Sequence, residues 1–300
     1  MTKKLKHHIV IHLENLDIIG KLGALFVRVS GIYKKGFENA QQLNIVEHQV
    51  FFRNLPAAFD GYRIIAMGDL HIDGKLDLVG RIRQLLQRVD ADACVFLGDY
   101  RAKVIGPYKH VIDKMAEIVS AVNARDGIFG VRGNHDSEAM VPELNRIGIR
   151  MLVNESVKIT RGEQAVYLIG VDDPHLYEND DIEQALEDVP DDAFKIMLVH
   201  SPEIHWRAAR KGVDFYICGH THGGQIALKK SVPIIVNARN SRRQAYRFWR
   251  DNGMLGYTTL GVGTSSVPVR FNCPPEIVVF TLRHGEPTKD NSLSDVLHFD

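Results

Sequence analysis

The sequence carries no excess of either charge, since 37 lysines and arginines balance 37 aspartates and glutamates among 300 residues. Proteins that bind nucleic acid usually present a strongly basic surface, so this balance argues against a nucleic-acid partner. Cysteine is also scarce. Of Cys94, Cys218 and Cys273, two lie inside apolar, strand-like runs, which predicts reduced, buried thiols and no disulfide framework.

Long apolar runs are missing as well. No stretch approaches the roughly 18–20 residues that a membrane-spanning helix needs, and no secretory segment with a small-residue cleavage site is present. We therefore expect a cytoplasmic protein. The sequence also shows no internal repeat and no low-complexity linker, and nothing in it identifies a protein partner.

Residues 20–40 have the pattern of an amphipathic, cationic helix. Its apolar side chains fall on one helical face, and its basic side chains lie outside that face. The apolar set is Leu22, Leu25, Phe26, Val29, Ile32, Tyr33 and Phe37. Two interpretations stay open. The helix packs on the domain that follows, or it lies on an anionic membrane surface and holds the protein at the inner face of the membrane.

Beyond residue 58, short apolar runs alternate with segments of helical periodicity. This alternation predicts a layered α/β fold with helices covering both faces. We expect an N-terminal extension over residues 1–58, a main domain over 59–283 and a polar tail over 284–300. An arginine-rich segment near 241–250 is predicted to be helical, either as a solvated face or as a platform for an anionic headgroup or nucleotide.

Several buried strands are followed at once by aspartate, histidine or asparagine. The candidate metal ligands in these positions are Asp69, His71, Asp99, Asn134, His200, His220 and His222. Ligands in α/β folds gather beyond the carboxyl ends of strands, so we expect these side chains to converge on one site. Unpaired buried charges are costly, and two divalent cations would satisfy them together. Asp99 can bridge both ions through its two carboxylate oxygens. Oxygen and nitrogen donors suit Mn, Fe, Zn or Mg.

In their order along the chain these motifs resemble those of the calcineurin-like metallophosphoesterase superfamily. The matching segments are Asp69-Leu70-His71, Gly98-Asp99, Gly133-Asn134-His135-Asp136, Val199-His200 and Gly219-His220-Thr221-His222. The resemblance implies a four-layer α/β/β/α sandwich, which agrees with the alternation of strands and helices. It covers roughly residues 60–283.

The resemblance also implies a role for each residue of the site. Asp69, His71, Asp99 and His222 would hold a first metal ion, and Asp99, Asn134, His200 and His220 a second. The catalytic residues would be His135 and Asp136. His135 would lie beside the substrate as a general acid or transition-state stabiliser, and Asp136 would orient it. The expected reaction is hydrolysis of a phosphate ester, a phosphodiester or pyrophosphate, by metal-activated water.

Further segments resemble a bacterial branch that includes membrane-associated phosphodiesterases and UDP-2,3-diacylglucosamine hydrolases. These are Gly219 to Gln225, Val267 to Arg270 and Pro275 to Ile277. The branch implies a lipid- or nucleotide-linked substrate at the membrane surface. Two alternatives from other classes are a non-catalytic scaffold that keeps the fold, and a nuclease.

Two segments near the predicted site allow two interpretations each. Asp172 to His175 follow a strand and either reach the site or form a turn. Tyr100 to Lys103 come directly after Asp99 and either contact substrate phosphate or form a solvated loop.

Overall fold

Two six-stranded sheets form the centre of the protein. The computed structural model describes residues 31–286 apart from residues 230–231, 234–237 and 239–241. The first sheet contains, in spatial order, β1 (Asn44–Phe52), β14 (Glu276–His284), β2 (Arg63–Met67), β3 (Asp90–Phe96), β4 (Asn123–Gly130) and β5 (Arg150–Met151). The second contains β12 (Arg247–Asp251), β13 (Met254–Thr258), β9 (Phe215–Cys218), β8 (Phe194–Leu198), β7 (Gln164–Gly170) and β6 (Glu155–Arg161).

Helices and short turns connect these strands. The helices are α1 (Tyr33–Ala40), α2 (Val79–Leu86), α3 (Lys109–Val119), α4 (Val141–Arg146), α5 (Ile182–Ala185) and α6 (His205–Arg210). Turns of 3-10 type occupy Ala57–Phe59, Glu138–Met140, Pro202–Ile204, His222–Gly224 and Arg242–Gln244. A separate antiparallel pair joins β10 (Ala227–Lys229) to β11 (Val232–Pro233).

Side chains that alternate along the central strands produce the layers. In β2, Ile64 points into the apolar core shared by the two sheets, whereas Ile65 packs with residues of α2 and α3. In β8, Ile196 lies in the shared core and Met197 packs outward with residues of α5 and α6. Because both faces of each sheet are covered, the central strands are continuous apolar runs in the sequence. The predicted four-layer α/β/β/α fold is confirmed.

The parallel arrangement of the central strands decides where a site can form. Strands β2, β3 and β4 run parallel in the first sheet. Strands β7, β8, β9 and β13 do so in the second. The carboxyl ends of parallel strands meet at one edge of a sheet, so the polar residues that follow them are brought together.

The N-terminal part of the described chain packs on the rest of the fold. Residues 44–52 form β1, which pairs in parallel with β14. The helix predicted over residues 20–40 is present from Tyr33 to Ala40, and residues 20–30 lie outside the described part. In α1, Gly36 and Ala40 are buried and Phe37 packs on the apolar core. Among the described residues, no helix has the length and apolar character to cross a bilayer.

The prediction of a helix near residues 241–250 is wrong. After the turn at Arg242–Gln244 the chain forms strand β12, which pairs antiparallel with β13. Its aromatic side chains alternate: Phe248 packs in the core between the sheets, and Trp249 packs in the outer core. A period of two residues therefore overrides the helical propensity of the arginines. Residue 241 of the predicted segment lies outside the described residues.

Candidate metal centre

Seven predicted metal ligands meet at the carboxyl ends of β2, β3, β4, β8 and β9. The side chains are buried, with exposed fractions between 0% for Asp69 and 6% for His220. Three overlapping groups of three carboxylates and imidazoles keep their ligand atoms within 4.8 Å of one another. They are Asp69, His71 and His222; His71, Asp99 and His135; and Asp69, Asp99 and His200.

One half of the site contains Asp69, His71 and His222. The Nε2 atoms of His71 and His222 lie 3.2 Å apart. Nε2 of His222 is 3.6 Å from Oδ1 of Asp69, and Nε2 of His71 is 3.6 Å from Oδ2 of Asp99. We refer to Asp69, His71, His222 and this oxygen of Asp99 as the first subsite.

The other half contains Asn134, His200 and His220. Oδ1 of Asn134 is 2.9 Å from Nε2 of His200 and 2.9 Å from Nδ1 of His220. These two ring nitrogens are 3.2 Å apart, and Nε2 of His200 is 3.4 Å from Oδ1 of Asp99. Together with this second oxygen of Asp99, the three residues form the second subsite. The carboxylate of Asp99 thus has one oxygen beside each subsite.

Backbone carbonyl groups set the orientation of two imidazole rings among the ligands. Nδ1 of His71 lies 2.9 Å from the Arg101 carbonyl, and Nδ1 of His200 lies 2.7 Å from the Leu97 carbonyl. A carbonyl only accepts, so in each ring Nδ1 carries a hydrogen, and Nε2 is the atom that faces the site. The donor set therefore fits divalent cations, because buried lone pairs and carboxylates that face one another repel without one.

Glycines precede four of the ligands, and at two of these glycines a side chain would occupy ligand space. A Cβ on Gly219 would lie 2.5 Å from Oδ2 of Asp69, and one on Gly133 would overlap Oδ1 of Asp99. The same close approach lets the backbone N–H of His220 donate to Asp69 and that of His135 donate to Asp99. The Gly-His and Gly-Asn-His spacings are thereby explained.

Five of the clustered residues have a left-handed backbone. Their φ angles are 53° for Asp69, 41° for His71, 56° for Asp99, 70° for His220 and 50° for His222. This region is costly for residues other than glycine, and such costs concentrate at functional sites. These left-handed residues follow β2, β3 and β9.

Burial and mutual charge shift the pKa values of the clustered groups. Burial raises the pKa of Asp69 to about 7 and lowers that of His71 to about 4. Burial also acts to raise the pKa of Asp99, but the imidazoles of His135, His200 and His71 outweigh it and hold this pKa well below its usual range. Burial acts to lower the pKa of His200, while Asp99 and Asp69 raise it to about 10. A proton on His200 thus takes the place of a cation.

His135 lies at the more open side of the site. Its side chain is 19% exposed, compared with 7% for His222 and 0% for His200. Nδ1 of His135 lies 2.8 Å from the Ala102 carbonyl, and Nε2 is 3.8 Å from Oδ2 of Asp99. Nδ1 is held by the carbonyl, so Nε2 is the atom available to a substrate.

The predicted orientation of His135 by Asp136 is corrected by these contacts. The carboxylate of Asp136 accepts from the backbone N–H groups of Asp99, Tyr100 and Gly133 instead, at 2.7, 3.0 and 2.8 Å. The Ala102 carbonyl holds the ring of His135. Asp136 is fully buried, and burial raises its pKa to about 7. It therefore fixes the two loops that carry Asp99 and Asn134.

The segment from Asp172 to His175 contributes to the surroundings of the site. Asp172 pairs with Arg132 (Nε–Oδ1 2.8 Å), and Asp173 accepts from the backbone N–H groups of the turn that follows. The ring of His175 lies 4.2 Å from that of His220, and its Nδ1 is 2.7 Å from Oε1 of Glu203. The sequence had indicated this segment because it, like the metal ligands, is a polar run that directly follows a strand.

Arg270 also belongs to the site; the sequence placed it in a segment that resembles the bacterial branch but gave it no role. It is completely buried, and its Nη2 lies 3.4 Å from Nδ1 of His222. Burial lowers its pKa to about 10. Arg101, in the segment after Asp99, turns its carbonyl to His71, and its own guanidinium is buried.

Comparison with known proteins agrees with this geometry. Residues 62–224 match the family described as calcineurin-like phosphoesterase. The chain belongs to this family. Members use divalent metal ions, and the buried Asp and His groups of this chain are able to bind them. The chain is therefore a metal-dependent phosphoesterase of the metallophosphoesterase fold.

Individual relatives are distant. The chain is 27% identical over 250 residues to the uncharacterized metallophosphoesterase YkuE of Bacillus subtilis (strain 168), covering 80% of this chain and 86% of that protein. It is 27% identical over 256 residues to an uncharacterized metallophosphoesterase of Aquifex aeolicus (strain VF5), covering 80% and 92%. Among solved structures, the sulfate thiohydrolase SoxB of Thermus thermophilus aligns with 13% identity and a TM-score of 0.43, covering 76% of this chain and 57% of that one.

Proposed function

We propose that the protein is a dinuclear phosphohydrolase that cleaves a phosphodiester or pyrophosphate bond. The observation that carries the proposal is the position of Asp99 between two sets of donors. Its Oδ2 lies 3.6 Å from His71, and its Oδ1 lies 3.4 Å from His200. In this proposal Asp69, His71 and His222 hold one ion, and Asn134, His200 and His220 hold the other. Bound ions would activate a water molecule and neutralise phosphate oxygens.

The chain's own residues would bind, orient and protonate the substrate. His135 is the catalytic residue in the proposal, since its Nε2 faces the site and its ring is partly exposed. As the imidazolium it would donate the Nε2 proton to the leaving oxygen, and the Ala102 carbonyl would keep the ring in place through Nδ1. Burial of the carboxylates excludes bulk water, which strengthens each charge interaction.

A test replaces the bridging carboxylate with an amide of the same shape. The full-length chain, depleted of metal and supplied with MnCl2, should hydrolyse bis(p-nitrophenyl) phosphate. Asp99→Asn should reduce kcat/KM at least about a hundredfold and lower the bound Mn²⁺ from two ions to one or none. Asp113→Asn, an exposed acid on α3, is the matched control and should behave as the wild type. Hydrolysis by Asp99→Asn at the wild-type rate would rule out a bridging role.

A choice among substrates needs a second measurement. Rates with bis(p-nitrophenyl) phosphate, p-nitrophenyl phosphate and a p-nitrophenyl ester of thymidine 5′-monophosphate should favour the diesters. A strict preference for the monoester would contradict the phosphodiester proposal while leaving the metal-dependent hydrolase in place. The donor positions are all filled, which argues against the non-catalytic scaffold.

A further inference from the structure

Arg270 joins three parts of the protein that are far apart in sequence. Its guanidinium is completely buried and donates to backbone carbonyls of one loop. Nη1 donates to Leu260 (2.7 Å) and Cys273 (3.1 Å), Nη2 donates to Gly261 (3.1 Å), and Nε donates to Gly263 (3.2 Å). A planar fork with fixed directions suits such a set of carbonyls better than an ammonium group does.

The loop held by Arg270 forms one wall of the first subsite. The N–H of Gly263 donates to the carbonyl of Asp69 at 2.7 Å, and that of Val262 donates to Gly68 at 3.0 Å. Gly261 fits so closely that a Cβ there would lie 2.9 Å from the Cβ of Asp69 and 3.3 Å from Nδ1 of His222. The loop thus supports the strained backbone of Asp69 and limits the tilt of the His222 ring.

Helix α1 contacts the backbone of Arg270. The N–H of Arg270 donates to the carbonyl of Gly36 at 2.9 Å, and Nδ2 of Asn39 donates to the carbonyl of Arg270 at 3.0 Å. A Cβ on Gly36 would lie 2.6 Å from the ring of Phe271 and 2.8 Å from the Cβ of Val269. The helix therefore contacts the backbone of this segment directly, which links the N-terminal part of the chain to the first subsite.

The Arg270 guanidinium makes no hydrogen bond to the side chains of the second subsite. Hydrogen bonds of the Arg270 guanidinium go to residues 260–263, Cys273 and His222. The side chains of Asn134, His200 and His220 are held by one another, by Asp99 and by the Leu97 carbonyl, and the link to the first subsite is the backbone N–H of His220, which donates to Asp69. A change at Arg270 should therefore act on one subsite and spare the other.

We infer that Arg270 is a positioning residue for the first metal subsite and that helix α1 keeps it in place. The inference deepens the proposed dinuclear function and rests on it. The loss of loop support and the loss of positive charge predict opposite changes in metal affinity when the guanidinium is removed. A positive charge beside a cation site weakens binding, so loss of the charge alone would tighten metal binding. Loss of the loop support would weaken it.

The experiment titrates the metal-free, full-length chain with MnCl2 by calorimetry and counts bound Mn²⁺ after gel filtration. Asp69→Asn and Asn134→Ala identify which binding event belongs to which subsite. Arg270→Met should weaken first-subsite binding about ten- to a hundredfold and leave the second within about twofold. Arg270→Lys, which keeps the charge and loses the fork, should fall between Arg270→Met and the wild type.

A milder variant on α1 tests the same link without touching the guanidinium. Asn39→Ala removes the hydrogen bond to the Arg270 carbonyl and should weaken the first subsite about fivefold. Lys35→Ala, exposed on the same helix, is its control and should have no effect. Asn39→Ala decides the question if Arg270→Met does not fold.

The outcomes separate this inference from the proposed function. Unchanged affinities in Arg270→Met and Asn39→Ala, tighter first-subsite binding, or equal weakening of both subsites would overturn the positioning role. A wild-type chain that binds two Mn²⁺ but hydrolyses no phosphate ester would contradict the proposed function and leave the positioning role standing. Binding of only one Mn²⁺ by the wild type would contradict both.

Discussion

The Nε2 atoms of His71 and His222 lie 3.2 Å apart, and their rings stack with centroids 5.2 Å apart. Nδ1 of His71 is committed to the Arg101 carbonyl, so its Nε2 lone pair points at the neighbouring ring. Burial lowers the pKa of His71 to about 4 and that of His222 well below its usual value, so neither ring gains a proton at neutral pH. Two neutral rings beside the carboxylates of Asp69 and Asp99 are a donor set that a divalent cation can share.

Metal removal should therefore destabilise the fold. Chelation with EDTA is expected to lower Tm, and Mn²⁺ at a hundred times its Kd should add about 2.7 kcal/mol to the free energy of unfolding for each site. Thermal unfolding followed by circular dichroism measures both effects. His71→Ala should show a smaller response to Mn²⁺ than the wild type. Equal Tm values with EDTA and with Mn²⁺ would speak against a metal centre.

Gly133→Ala should strongly reduce activity, although it adds only one methyl group. A Cβ at this position would overlap Oδ1 of Asp99, so the bridging carboxylate must move. We expect kcat/KM to fall at least about a hundredfold, because a small displacement of a reacting group has effects of this size. Turnover of bis(p-nitrophenyl) phosphate with bound Mn²⁺ is the measurement.

Gly80→Ala is the matched control for that change. Gly80 lies in α2, and a Cβ there would meet nothing within 4 Å. The variant should keep full activity and gain about 0.5–1 kcal/mol in the free energy of unfolding, because alanine is the better helix former. A comparable loss of activity in both variants would show that glycine-to-alanine changes act here through general instability.

The sequence was sufficient to predict that the metal ligands meet at one site, because the same local pattern occurs several times along the chain. Each strand was a short apolar run, and each ended in aspartate, asparagine or histidine. Parallel strands then leave only one edge at which these residues can meet. Asp69, Asp99 and His200, which follow three different strands, accordingly form one group.

Other features could not be predicted, because their causes lie in distant contacts. The left-handed backbone of Asp69 is supported by the loop at Gly261 to Gly263, almost two hundred residues later in the chain. The role assigned to Asp136 failed for the same reason: carbonyl and N–H groups of the backbone are invisible in a sequence motif. Residues 247–251 form a strand because they pair with β13, although their local sequence favours a helix.

His135→Ala should leave metal binding intact and reduce turnover. Nε2 of His135 is 3.8 Å from Asp99, and this side chain is the partly exposed histidine beside the site. Loss of a general acid typically reduces kcat about 10²–10⁴-fold. His110→Ala, an exposed histidine on α3, should retain wild-type turnover and serves as the control. Turnover near the wild-type value in His135→Ala would remove this residue from the mechanism.

Metal affinity should increase with pH between about 6 and 8. Burial raises the pKa of Asp69 to about 7, and interactions with Asp99 and Asp69 outweigh burial to raise that of His200 to about 10. In the metal-free protein His200 therefore keeps its proton across this pH range, whereas Asp69 holds one mainly below about pH 7. A divalent ion must displace these protons, so acid favours the metal-free form and base favours the bound form. Calorimetry with MnCl2 in buffers of different ionisation enthalpy measures the protons released on binding. A Kd that stays constant from pH 6 to pH 8, with no proton release, would contradict the assignment of Asp69 and His200 as ligands.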